Sequence, residues 1–444
     1  MQLIRIDNSL LYSNPSALPY DITQYPPLYY VILDQLMDVF SISTDSFSIR
    51  IFSRIFSLIS LTSIVLITRH FLLSRLKINK KFTYLILALI LIFSFPWYSI
   101  SRPDVLLMLL LTLAIIQINS IIDNPRIRNI LLLSFIFALS IFVKQTALFY
   151  TIFFLIGLLV IKEFKSSGML LLLTGVFCII IYFLIDLLGY DLQFYRLNVL
   201  KGVDNGLSLS RALEMSYSVY FSYYLTFTSL LIISCSMVFQ KLKNDKLGLF
   251  LISINILFFI SSTIFALKVG STINYYNESL IFQLILSALI FEHLSISQKS
   301  FSKIFLLITV IQISLIHIVA YRARILRAVI IQDYSKIEYK KEVNEFLNKN
   351  IDSSFFVTND RSIALANLKH VAIFSNDIHQ LCYLEKTFDY SEMQNSLKLG
   401  QIKFIIETEK IDQLFDVGIK DHYKVVKFIG PYTILQSTAP PLKL

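Results

Sequence analysis

Four polar clusters stand out against long apolar stretches, and each carries residue types suited to a phosphate or a sugar. The first runs Leu11-Tyr12-Ser13-Asn14-Pro15 and then Gln24-Tyr25-Pro26-Pro27-Leu28-Tyr29-Tyr30. Its two adjacent prolines remove backbone donors and start an amphipathic segment at Leu28, and its four tyrosines suit either a headgroup-level aromatic belt or stacking on a sugar face. The second is Ser101-Arg102-Pro103-Asp104, directly before an apolar run. Arg102 beside Asp104 reads either as a surface ion pair of little worth or as part of a water-filled vestibule, and Asp104 also suits the first turn of a helix. The third, Lys144-Gln145-Thr146, sets an isolated cation between two apolar runs. Snorkelling and phosphate contact explain that lysine equally well. The fourth, Gly270 to Glu278, gathers Asn274, Tyr275 and Glu278 just before another apolar run, where they offer donors and acceptors for hydroxyls or a phosphate-linked headgroup. A polar loop leading into a helix is its plainer reading. Asp186 and His317 read as satisfied helix-end residues.

The elements that must hold these clusters are membrane spans. Of 444 residues, 55 % are hydrophobic and only 16 % charged, which excludes an ordinary water-soluble protein. Glycine (11) and proline (10) are too sparse for a linker-dominated or collagen-like chain. A bilayer core about 30 Å thick needs about 20 helical residues. Runs of that kind occur at 51–74, 82–99, 104–122, 129–143, 146–161, 168–188, 219–239, 247–267, 279–296 and 303–321, so ten spans are expected. The fourth and fifth are short and meet at Lys144, as a tight hairpin or a re-entrant pair. No N-terminal signal pattern is present.

Lysine and arginine set the orientation. One set of span ends carries fourteen, from Arg69 to Lys303; the other carries six, namely Arg102, Lys144, Arg196, Lys201, Arg211 and Lys268. The richer set should face the cytoplasm, which puts both termini and all four polar clusters outside. The net charge of +10 therefore marks cytoplasmic loops and not nucleic-acid binding. After Tyr321 charges become frequent, and β-type runs at Phe355–Val357, Val371–Phe374, Phe404–Ile406 and Tyr423–Val426 alternate with helical stretches. The expected architecture is an all-α polytopic membrane protein with a small C-terminal extracytoplasmic α/β domain: residues 1–50 a first outer loop with a juxtamembrane helix, 51–321 the transmembrane helices, and 322–444 the α/β domain. Arg322, Arg324 and Arg327 read as a juxtamembrane headgroup contact.

Three cysteines, two of them in apolar runs, make no disulfide framework, and the six histidines show no metal-ligand spacing. No P-loop, GxGxxG or G-x-S-x-G segment occurs, which argues against soluble nucleotide chemistry.

In their order and common placement, these landmarks resemble the GT-C superfamily of integral-membrane glycosyltransferases, in particular the group related to protein O-mannosyltransferases and the lipid A aminoarabinose transferase. The resemblance spans nearly the whole chain and rests on Tyr25 to Tyr29, Arg50 with Ser53, Ser101 to Asp104, Lys144 to Thr146, Asn274 to Glu278, and the C-terminal domain. It implies a polyprenyl-phosphate sugar donor in a plasma membrane, and a glycan, lipid or protein acceptor on the outer face. It also implies inverting hexosyl transfer, with an acidic residue of the first outer loop as general base. Arg102 and Lys144 would meet the donor phosphate; Tyr12, Tyr25, Gln145, Asn274, Tyr275 and Glu278 would face the substrates. Asp104 would orient the acceptor or bind a divalent cation, the one cofactor the scheme admits. Family members carry a helix and an acidic motif ahead of the tyrosine–proline segment, and by that pattern these 444 residues begin inside the loop. Asp7 is the substitute carboxylate, although it stands closer to Tyr25 than the family pattern sets it. An inactive or truncated relative that binds glycolipid, and a lipid-linked-sugar transporter or flippase, are the alternatives. A transporter would show internal repeats and polar residues near mid-membrane, and neither is evident.

Overall fold

The structure, a computed structural model, describes residues 11–43, 46–98, 101–204, 206–216, 225–269, 273–294, 334–373, 376–408 and 415–439. The span expected at 303–321, the arginines at 322, 324 and 327, His317 and Asp7 lie outside the described residues.

The apolar runs fold as helices. After α1 (Leu28–Val39) come α2 (Ser46–His70, continued by a π turn to Arg75), α3 (Lys80–Tyr98), α4 (Asp104–Asp123), α5 (Ile127–Val143), α6 (Ala147–Val160) and α7 (Phe164–Leu187). A short α8 (Leu209–Ser216) precedes α9 (Leu225–Leu242), α10 (Lys246–Ala266) and α11 (Asn277–His293). Four of these segments, Phe47–Arg75, Asp104–Asp123, Phe164–Leu187 and Lys246–Ala266, are by length and composition long and apolar enough to cross a membrane. Helix starts follow local chemistry. Asp245 caps α10 by accepting from the amides of Leu247 and Gly248, and Pro103 precedes α4 with its φ of −65° already set for a helix.

Helix α6 is the hub beneath the third polar cluster. Only Lys144, Gln145 and Thr146 separate it from α5, so the two helices are joined by a tight turn. Its Tyr150 stacks on Phe258 of α10 at 4.5 Å, and Phe154 meets Phe137, Phe250 and Phe282 edge-on. Gly157 permits that approach, because a Cβ there would fall 2.6 Å from the Phe250 ring and 2.9 Å from Ile254. Gly157→Ala is therefore expected to destabilise the bundle by about 1–3 kcal/mol through overpacking, read as a lower melting temperature in detergent.

The C-terminal part begins with α12 (Tyr334–Asn350) and continues through β1 (Phe355–Thr358), α13 (Arg361–Ala366), β2 (Val371–Ile373), α14 (Asn376–Leu384), α15 (Ser391–Lys398), β3 (Ile402–Glu407), α16 (Ile419–His422), β4 (Tyr423–Ile429) and β5 (Tyr432–Ser437). Its sheet runs β2-β1-β3-β5-β4, with β1 parallel to both β2 and β3 and the β3/β5 and β5/β4 pairs antiparallel. Alternation divides the core into two faces: Phe356, Phe404 and Ile434 on one, and Val357, Ile405 and Leu435 on the other. The four sequence-expected β runs are all strands, and β5 is the addition.

One segment crosses between the two parts. Tyr20 and Ile22, from the stretch before α1, are buried in the core of the α/β part. The Tyr20 amide donates to the Ala372 carbonyl at 2.8 Å, forming a parallel bridge beside β2, and its hydroxyl lies 2.8 Å from Ser396 Oγ.

Candidate functional site

The start of α4, the α5–α6 turn, the end of α10 and the start of α11 meet at one end of the helical bundle. Alternating chain direction brings them there, and three of the four polar clusters come with them. Lys144, extended at φ −155°, leaves α5 and places its Nζ 2.8 Å from Asp104 Oδ1 and 3.5 Å from Glu278 Oε1. All three are sealed from solvent, at 1 % exposure for Lys144 and Asp104 and 0 % for Glu278. The Tyr275 ring faces the ammonium at 4.9 Å. Arg102 approaches the same Asp104 carboxylate, with Nε 3.4 Å from Oδ2, and donates to the Tyr25 hydroxyl at 3.1 Å.

This geometry corrects two of the plainer sequence readings. Asp104 and Arg102 are not a surface ion pair, because the carboxylate is inside. Lys144 does not snorkel, because opposed carboxylates hold it in the interior, where an unpaired ammonium would be prohibitive.

The first cluster frames the site from the other side. The Tyr12 hydroxyl donates to the Tyr25 carbonyl at 2.9 Å while its ring packs edge-on against Tyr195, so Tyr12 sets the backbone and Tyr25 reaches Arg102. Gln145 donates to the carbonyls of Gln24 and Val199, and Gln24 in turn donates to the Gly202 carbonyl at 2.5 Å. The Tyr275 carbonyl accepts from Ser262. The side chain of Asn274, like Asp7, lies outside the described residues.

Several of these groups border a cavity of about 280 Å³, lined by Gln24, Tyr25, Lys144, Gln145, Thr146, Asp204, Lys268 and Tyr275 together with Val203, Gly206, Leu207, Ile264 and Phe265; Arg102, Asp104 and Glu278 stand behind Lys144, outside the lining. Such a volume approaches the lower end of small-ligand sites, which run from about 300 Å³. Two charged members escaped the sequence reading of candidate residues. Lys268, two residues past α10, appeared there only as one of six cations on the sparser face, and Asp204 sits in a loop of no evident pattern. The available signal was position: Lys268 closes an apolar run at the same bundle end as Lys144. Among the described residues no group of three or more His, Cys, Asp or Glu side chains is arranged to hold a metal ion. The Asp104–Glu278 pair is instead bridged by an ammonium.

Comparison with known proteins agrees with this frame. Residues 24–185, which include Tyr25, Arg102, Asp104, Lys144 and Gln145, match the family described as dolichyl-phosphate-mannose-protein mannosyltransferase. No curated protein matches the chain. The crystal structure of ArnT from Cupriavidus metallidurans bound to undecaprenyl phosphate shares the fold with a TM-score of 0.61 at 10 % identity, over 99 % of this chain and 93 % of that one. The apo form of the same protein gives 0.57 at 11 % identity over the same shares. Through the family match over its first part and the fold over nearly its whole length, the chain resembles the GT-C superfamily of integral-membrane glycosyltransferases.

Proposed function

We propose that this chain is a membrane glycosyltransferase that moves a sugar from a polyprenyl-phosphate donor to a lipid, glycan or protein acceptor on the outer face of the membrane. The observation that carries the reading is the Asp104–Lys144–Glu278 cluster: two buried carboxylates, at the starts of α4 and α11, share the buried ammonium of the α5–α6 turn, and Lys144 lines the cavity at that bundle end. Buried charge at membrane depth is expensive and usually functional. The family match and the shared fold point the same way. The lipid-phosphate class of donor is further supported by ArnT, whose structure holds undecaprenyl phosphate.

In this reading the residues divide the work. Asp104 fixes Arg102 and Lys144, and Lys144 lines the cavity, where fixed positive charge favours a phosphate leaving group as the glycosidic bond breaks. Tyr25 and Tyr275 present ring faces and hydroxyls to the sugar, and Glu278 keeps Lys144 charged and in place. The acceptor's proton needs a carboxylate base, and Asp7 of the same first loop is the candidate. An apolar cavity of about 500 Å³ between α9, α10 and α11, walled by Leu231, Phe239, Ile252, Phe259 and Leu286, suits part of a prenyl tail.

The test is transfer of label from a polyprenyl-phosphate sugar in membranes bearing the full chain. Wild-type membranes should transfer sugar. Asp104→Asn should reduce kcat by roughly 100-fold or more, the scale on which misaligned electrostatic groups act. A sound membrane preparation that transfers equally well with Asn at 104 refutes the role given to this cluster.

A further inference from the structure

Part of the cavity's wall is fastened from the α/β part. Gly206 and Leu207 are tied to the end of α10 by the backbone: Ser208 donates to the Leu267 carbonyl at 2.7 Å, and Val269 to the Gly206 carbonyl at 3.0 Å. Val203 and Asp204 line the same cavity but are reached from elsewhere. The Thr387 hydroxyl, just past α14, donates to the Asp204 carbonyl at 3.2 Å. The buried Cys382 thiol of α14 lies 3.8 Å from the Gly202 carbonyl, which also accepts from Gln24. Burial pushes that thiol up to about 11, against the nearby Lys268, so at neutral pH it stays protonated and can donate. A Cβ at Gly202 would run into the Asn198 carbonyl and fall 2.6 Å from Ile22, itself part of the α/β core. Gly206 permits the approach from the other side: its φ of +79° is left-handed, and a Cβ there would run into the Glu385 carboxylate. The turn that presents Glu385 and Thr387 is itself fixed. Lys386 stands at φ 54° with its amide donating to the Tyr383 carbonyl at 3.0 Å, while the Thr387 amide donates to the Cys382 carbonyl at 2.9 Å. That is the bond pattern of a Schellman cap with lysine where glycine is usual, so the turn holds its direction against local strain.

We propose that Thr387 is a positioning residue: through the Asp204 carbonyl it holds Val203 and Asp204 in the cavity wall, so that the α/β part sets how firmly the cavity closes on the donor. The inference rests on the reading of this cavity as the place where the lipid-linked sugar binds. Among the described residues, Val203 and Asp204 make one other hydrogen bond, the local turn from the Asp204 amide to the Lys201 carbonyl at 2.8 Å. A wall with so few ties exchanges between a seated and a released form, and one hydrogen bond of ordinary net worth shifts that balance by roughly 2–10-fold. The donor binds the seated form, so loss of the tie lowers the binding-competent fraction. Once bound, the donor meets the Asp104–Lys144–Glu278 cluster unchanged, because Thr387 touches none of it. The effect therefore falls on KM and spares kcat.

The experiment uses the full chain in nanodiscs with a labelled polyprenyl-phosphate sugar, together with hydrogen exchange over residues 201–207. Thr387→Val keeps the side-chain shape and removes the hydroxyl. It should raise KM for the donor roughly 2–10-fold, leave kcat within about twofold and speed exchange over residues 201–207. Thr387→Ser restores the hydroxyl and should return both readouts to wild type. Both variants should melt close to wild type, so a general loss of fold cannot imitate the result. One KM and one exchange rate shared by wild type and Thr387→Val overturn the assignment. Faster exchange at unchanged KM reduces Thr387 to a structural tie and overturns its positioning role, as does a fall in kcat at unchanged KM. Absence of sugar transfer by wild type overturns the donor reading instead, and the exchange comparison still decides whether Thr387 holds the wall.

Discussion

Lys144→Met is expected to abolish transfer and to lower the stability of the helical bundle by about 3–5 kcal/mol, the usual consequence of removing one partner from a buried ion pair. The physical reason is the pair of carboxylates left behind. Asp104 and Glu278 are inside the protein and share Lys144 as their common counter-ion, at 2.8 and 3.5 Å. Without it, Glu278 loses the one ion-pair partner it has among the described residues, while Asp104 keeps Arg102, whose side chain is 27 % exposed. Stability and chemistry can be separated by also removing the stranded acids. In a Lys144→Met, Asp104→Leu, Glu278→Leu chain the buried charge is gone, and replacing a buried triad by apolar groups is commonly neutral or stabilising by about 1–4 kcal/mol. That triple variant should recover the melting temperature in detergent and still transfer no sugar. Recovery of both would reduce the cluster to a structural device, and the proposed mechanism would fall with it.

How much of this was legible beforehand depends on what sets each feature. Apolar helices follow from composition, so among the described residues the expected runs between 51 and 293 fall in helices, four segments of which are long enough to cross a membrane. The polar clusters were legible too, since Arg102, Asp104, Lys144 and Glu278 each interrupt apolar sequence where few other reasons for a charge exist. Their mutual arrangement was not legible in the residues themselves. Asp104 and Lys144 are forty positions apart, and Glu278 lies far beyond both; only the alternating direction of packed helices brings them to one end. Lys268 was missed because a cation just beyond an apolar run is normally a boundary residue in water. Its place in the cavity lining is a fold-level fact, set by the antiparallel bridge that joins it to Leu207. Tyr20 was missed for a related reason: a tyrosine in a proline-rich polar stretch gives no hint that its partner strand, β2, lies 350 residues further on.

That distant pairing yields the second large effect. Tyr20→Ala is expected to cost about 3–5 kcal/mol, because it empties a fully buried aromatic site in the α/β core. The hydroxyl contact to Ser396 is a small part of this, and Tyr20→Phe should lose only about 1 kcal/mol. The consequence reaches the cavity through the backbone. Five residues after Tyr20 stands Tyr25, whose carbonyl is held by Tyr12 and whose hydroxyl accepts from Arg102. Between them, Thr23 donates to Asn198 Oδ1, and the Asn198 amide donates to the Ser13 carbonyl at 2.7 Å. The segment is thus fastened at both ends, to the sheet edge through Tyr20 and to the bundle through Tyr25. Release of the sheet end should loosen the Tyr25–Arg102 contact without touching the Asp104–Lys144–Glu278 cluster. Limited proteolysis should then cut within residues 13–24 of the Ala variant and leave the wild type intact, and its KM for the donor should rise more than its kcat falls. A kcat loss with unchanged KM would instead mean that the segment acts on the reacting groups, and that the α/β part does more than hold the loop in place.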